Sequence, residues 1–169
     1  MTYFELFEIP ETLTPDATII RQKFLELSRK YHPDFYTQSS EGEQSEILEK
    51  AALLNKAYKV FQNKDALIKY VLMEKGMLAE EEKYALSPEF LMEVMEQNEA
   101  LMDAKMEADD TKVEKVKSTI SQLQSEIYEP VQRIVEMYPG LETPAEELLQ
   151  LKQYYFQKKY LDRILAAMD

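Results

Sequence analysis

Apolar side chains recur along this chain at steps of three and four, the spacing that lines one face of an α-helix. Ile20, Phe24, Leu27 and Tyr31 form one stripe, and Ile47, Ala51, Leu54, Tyr58 and Phe61 a second. The polar stretch from Thr37 to Gln44 separates them, so the two read as an antiparallel helix hairpin. The first helix is expected over 15–31, with Thr14 as N-cap and Pro15 in the first turn. Pro33 lacks an N–H and drives His32 out of the α region, so this helix must stop near Tyr31. The second is expected over 43–62, with Asn63 as its stop. Ahead of the pair, Tyr3, Phe4, Leu6 and Phe7 predict a brief helix within 2–8, ended by Pro10. Behind it, Leu67, Ile68, Val71 and Leu72 predict a shorter helix over 64–75, closed by Gly76 as a C-cap.

The second half is patterned differently. Ser87-Pro88-Glu89 is a capped start for a helix reaching about Ala108. Its apolar residues fall on two faces: Phe90, Val94 and Leu101 on one, Leu91, Met92 and Met95 on the other, edged by Glu96 and Glu99. Either one face enters a core and the other stays exposed as an apolar patch with an acidic rim, or both are buried between neighbours. Val113, Val116, Ile120, Leu123, Ile127, Val131, Ile134 and Tyr138 make a bundle seam, which Pro130 should kink or divide and Pro139-Gly140 should end. Thr143-Pro144-Ala145-Glu146 reads as a capping box opening a last helix over about 144–168, which buries Leu148, Leu151, Tyr155 and Leu161 or their close neighbours. Three helices with short loops make an antiparallel bundle. The expected architecture is all-α: a helical-hairpin domain over 1–76, a linker over 77–86, and a three-helix bundle over 87–169. Glu80-Glu81-Glu82 in the linker reads as a solvated acidic turn.

Composition narrows the classes of function. With 32 Asp and Glu against 20 Lys and Arg, the net charge is −12, which disfavours nucleic-acid binding. There is no cysteine, hence no disulfide, thiol catalysis or cysteine-held metal. A single His leaves no repeated Glu-x-x-His pair for a metal site. No cofactor is implied. A carboxylate-rich enzyme or metal protein would need buried acidic pairs on facing helices, and the 113–138 seam is apolar. No secretory leader is recognised before Tyr3, and no apolar run reaches the ~20 residues of a membrane span. The expected setting is a reducing cytosol.

The candidate chemistry sits at two places. Tyr31-His32-Pro33-Asp34 is a proline-enforced corner that puts an imidazole and a carboxylate on a loop; read blandly, it is an ordinary helix stop with His favoured at a helix C-terminus. The helix leading into it carries Arg21, Lys23, Arg29 and Lys30 against Asp16 and Glu26, a local cationic excess in an acidic chain. That face is either a solvated helix surface or a docking surface for an acidic partner. The apolar 91–95 face is the second candidate.

Residues 3–75 resemble a J-domain, through Tyr3-Phe4, Lys30-Tyr31-His32-Pro33-Asp34 and Asn55-Lys56-Ala57-Tyr58-Lys59-Val60-Phe61. With Phe90-Leu91-Met92-Glu93 and a length of 169 residues, the chain resembles the HscB family, co-chaperones of iron–sulfur cluster assembly. The resemblance implies an L-shaped pair of domains and no catalysis by the chain itself. It implies a DnaK-class ATPase chaperone (HscA-like) met through His32, Pro33 and Asp34 with Arg21, Lys23, Arg29 and Lys30. It also implies an iron–sulfur scaffold protein (IscU-like) held by Leu91, Met92, Met95, Glu96, Glu99 and Tyr160. Phe35, Leu25 and Glu26 stand where other J-domains are often basic, which points to a dedicated ATPase rather than a general one. The absence of the leader that mitochondrial members carry suggests a bacterial source. The alternative keeps the J-domain and changes the client to some other protein.

Overall fold

The computed structural model describes residues 1–138 and 142–167. Its helices are α1 (Tyr3–Leu6), α2 (Ala17–Lys30), α3 (Glu41–Phe61), α4 (Lys64–Glu74), α5 (Pro88–Met106), α6 (Asp110–Tyr128), α7 (Gln132–Glu136) and α8 (Ala145–Ala166). Short 3-10 turns occupy Pro33–Tyr36 and Glu129–Val131. There is no β-strand among the described residues. The chain forms two compact units, Met1–Val71 with Val135–Glu142, and Leu72–Ile134 with Thr143–Asp169.

In the first unit α2 and α3 form the expected hairpin. Ile20 and Leu27 of α2 and Ile47, Leu54, Ala57 and Phe61 of α3 are buried, and Phe24 stacks on Tyr58 with ring centroids 3.9 Å apart. α1 closes one end: Phe4 and Phe7 meet Phe61 edge-on, and Tyr3 stacks on Tyr70 at 4.2 Å. α2 starts two residues later than Thr14-Pro15 suggests. Asp16 is the cap, its Oδ1 accepting the Thr18 and Ile19 N–H groups, while the Thr14 N–H donates to the Thr12 hydroxyl. A carboxylate accepts two orphan N–H groups at a helix N-terminus, where the dipole favours its charge. Ser40 caps α3, and Asn63 accepts the Ala66 N–H at the start of α4, so it opens the next helix as well as following the last.

In the second unit the core is Phe90, Val94 and Leu101 of α5, Val116, Ile120 and Leu123 of α6, and Leu161 of α8. α5 and α6 pack as a hairpin, and α6 packs on α8. Pro130 divides the seam as expected: α6 ends at Tyr128, a 3-10 turn carries Glu129–Val131, and α7 follows. The seam does not serve one core throughout. Val131 and Ile134 are buried in the second unit, whereas Tyr138 belongs to the first and donates to Glu11 at 3.2 Å.

Two expectations are corrected here. Thr143 is not a cap: Pro144 takes that position, leaving Thr143 one residue short of the first turn with its hydroxyl buried and without a hydrogen-bond partner among the described residues. α8 buries Leu148, Leu151 and Leu161 as expected and, of the two adjacent tyrosines, Tyr154, about 100° around the helix from Tyr155. Glu80 and Glu81 are in solvent as expected, but Glu82 is half-buried and not a free acidic residue: its carboxylate lies 2.7 Å from the Lys152 ammonium, and that bond, with the Ala79 N–H, holds it below the usual carboxylate range. The stop expected at Pro139-Gly140, and Met168 at the end of the last helix, lie outside the described residues.

Candidate docking sites

The first candidate is built at the end of α2. Tyr31 caps the helix outside α geometry, and His32 is extended at φ −72°, ψ 126°, as a residue before proline must be. Pro33 then opens the 3-10 turn. The Asp34 N–H donates to His32 Nδ1 at 3.3 Å, and the Phe35 N–H to the His32 carbonyl at 3.1 Å. The Tyr36 hydroxyl donates to the Lys30 carbonyl at 2.9 Å, tying the turn back onto the helix. These bonds fix the corner while leaving its chemistry outward: the Asp34 side chain is 85% exposed, with its carboxylate 3.6 Å from His32 Nδ1. A fixed carboxylate in solvent is suited to a charge-assisted, two-pronged bond with an arginine of another protein.

The cations of α2 differ in how free they are. Arg21, Arg29 and Lys30 are exposed, whereas Lys23 is half-buried, with its ammonium 3.7 Å from Glu8. Lys50 of α3, not singled out in the sequence, joins them: its ammonium lies 5.1 Å from the Tyr31 ring centre, beside that of Lys30 at 5.4 Å. Position on the outward side of α3 was the only available signal for it. Phe35 is exposed, with its ring edge-on to His32 at 6.0 Å.

The second candidate is the outer face of α5. Ser87 caps the helix by accepting the Phe90 N–H, and Pro88 supplies its first turn. Phe90, Val94, Leu101 and Ala104 are buried, so one face is committed to the core. The reading in which both faces are buried does not hold: Met92 and Met95 are exposed, Leu91 is half-buried, and Glu96 and Glu99 are in solvent. The exposed face extends beyond the 91–99 stretch, to Met102 and Met106. Tyr160 of α8 is half-buried against the bundle core, edge-on to Phe90 at 6.5 Å. It lines a small groove of about 170 Å³ with Tyr84, Leu86, Phe156 and Arg163.

Among the described residues no group of three or more His, Asp or Glu is placed to hold a metal ion, and no helix is long and apolar enough to cross a membrane.

Residues 86–169 match the family model described as the HSCB C-terminal oligomerisation domain. The chain is similar to a co-chaperone protein HscB homologue of Photobacterium profundum, 31% identical over 150 residues, covering 88% of this chain and 80% of that one. It is also similar to the iron–sulfur cluster co-chaperone protein HscB of mouse, 31% identical over 154 residues, covering 90% of this chain and 64% of the relative. The crystal structure of human co-chaperone HscB superposes with a TM-score of 0.71 at 26% identity, over 99% of this chain and 82% of that one. The matched stretch spans 61% of the length of two Vibrio relatives.

Proposed function

This chain belongs to the HscB co-chaperone family, and we propose that it is an adaptor that brings an iron–sulfur scaffold protein (IscU-like) to a dedicated DnaK-class ATPase (HscA-like) in the bacterial cytoplasm. The hairpin domain, 1–76, engages the ATPase through His32, Pro33 and Asp34, with Arg21, Lys23, Arg29, Lys30 and the added Lys50 supplying positive potential. Asp34 pairs with an arginine of the ATPase, and hydrolysis is accelerated in that partner; the adaptor performs no chemistry. The α5 face, Leu91, Met92 and Met95 with Glu96 and Glu99 at its edge and Tyr160 beyond, holds the scaffold protein. Thioether side chains suit such a contact because they adapt their shape to the partner.

The observation that carries the reading is the corner itself: a carboxylate in solvent, held by a proline-led turn on a packed hairpin. An ATPase assay with the chaperone, with and without scaffold protein, tests it. Asp34→Asn abolishes the stimulation and leaves the circular dichroism unchanged, since the side chain is 85% exposed and its one near contact is the exposed His32 ring; normal stimulation by this variant would remove Asp34 from its role. Leu91→Ala with Met92→Ala weakens scaffold binding about tenfold or more in calorimetry, with stimulation in the absence of scaffold unaltered. The family model's description favours a second occupant of the bundle, another copy of this chain. Light scattering separates the two: a dimer that dissociates in the double-alanine variant supports self-association instead.

A further inference from the structure

We propose that the outer face of α5 is a methionine-oxidation site, at which a hydroperoxide converts an apolar docking surface into a polar one and releases the docked protein. The proposal rests on the docking role given to α5 above.

Four of the nine methionines, Met92, Met95, Met102 and Met106, lie on this one helix. At 100° per residue they share an arc of about 80°, turned away from Phe90, Val94 and Leu101. They are 66%, 55%, 58% and 85% exposed, so each thioether is open to a small oxidant. The chain has no cysteine, so no thiol of its own intercepts the oxidant first. None of the four belongs to the bundle core, so their modification leaves that core intact.

The chemistry needs only a hydroperoxide. The sulfur lone pair attacks one peroxide oxygen, an S–O bond forms as the O–O bond breaks, and the proton on the transferred oxygen passes to the departing hydroxide, which leaves as water when the oxidant is hydrogen peroxide. The sulfur is oxidised to a sulfoxide and the peroxide oxygen is reduced. A reductase reverses it, two thiols closing to a disulfide as the oxygen departs as water. A sulfoxide is a strong hydrogen-bond acceptor. Covered by an apolar partner it loses its water without replacement, so docking weakens.

The test uses the full chain and the iron–sulfur scaffold protein, titrated by calorimetry before and after hydrogen peroxide, with peptide mass mapping and circular dichroism in parallel. The expected result is one oxygen on each α5 methionine, an unchanged helical spectrum, and binding weakened about tenfold or more, restored by methionine sulfoxide reductases. In the chain carrying Met92→Leu, Met95→Leu, Met102→Leu and Met106→Leu, the ratio of affinities before and after peroxide falls to near one, whatever its starting affinity. Met1 and Met137, exposed and unaltered in that variant, control for oxidation elsewhere. Unchanged affinity with the α5 sulfoxides mapped overturns the proposal, as does undiminished peroxide sensitivity in the leucine variant. Failure of the untreated chain to bind the scaffold protein at all overturns the docking role, and this proposal with it.

Discussion

Tyr138 donates its hydroxyl hydrogen to Glu11, 127 positions earlier in the chain. Burial first, and then the charge and hydrogen bond of Glu11, push the phenol above its ordinary range. The sign follows from that direction. Below the ordinary tyrosine value of about 10 the phenol is neutral in both folded and unfolded chains, and the stability it contributes is fully present. Above it the unfolded chain ionises while the folded one resists, so stability falls as the pH climbs past about 10. Chemical denaturation from about pH 8 to 11 should show that loss, and Tyr138→Phe should flatten it while costing about 1 kcal/mol at neutral pH. At this scale the sequence is legible where backbone chemistry is local. Pro33 dictates the extended His32 whatever surrounds it. It is ambiguous where two residue types compete for one job: Thr14 and Asp16 can both cap, and the aspartate, bonding two N–H groups, takes the position.

At the scale of helices, three C-termini end alike. After α1, α4 and α5 a left-handed residue follows the cap, and paired N–H groups turn back to the last carbonyls: Ile9 to Phe4, Met77 to Leu72, Asp109 to Ala104. The left-handed residues are Glu8, Gly76 and Ala108, with φ of 54°, 72° and 53°. Only Gly76 was legible as a stop, because a glycine announces that geometry and a glutamate or an alanine does not. Ala108→Gly should therefore stabilise the bundle by about 0.5–1 kcal/mol, the relief of the Cβ clash exceeding the added chain entropy. A rise in the midpoint of thermal unfolding checks it, and a fall would mean that the turn gains nothing from glycine. α5 posed a different problem. Its two apolar faces were visible in the sequence, but which of them is covered depends on α6 and α8, which lie elsewhere in the chain.

At the scale of the whole chain, a net charge of −12 coexists with a cationic corner where Lys30 and Lys50 flank the Tyr31 ring and Arg29 precedes them in the last turn of α2. Exposed charges steer encounter and are screened over roughly 8 Å at physiological salt. Association with the proposed ATPase partner should therefore slow about tenfold between low and high ionic strength in stopped-flow measurements, with dissociation changing less. Charge reversal at Lys50 should reduce that slope, although the residue lies 18 positions from His32.

The sequence by itself determined the helices, the proline corner, the division at Pro130 and the buried side of the α2, α3 and α6 stripes. These follow from periodicity and from what proline does to its neighbours, which act within one turn of chain. Tertiary structure alone decided that Lys50 joins the corner, that Glu82 is tied to Lys152, that Tyr138 serves a different core from the seam it ends, and that the methionine face of α5 stays in solvent. Each depends on which segments meet across long stretches of chain, a property of packing that no local spacing encodes.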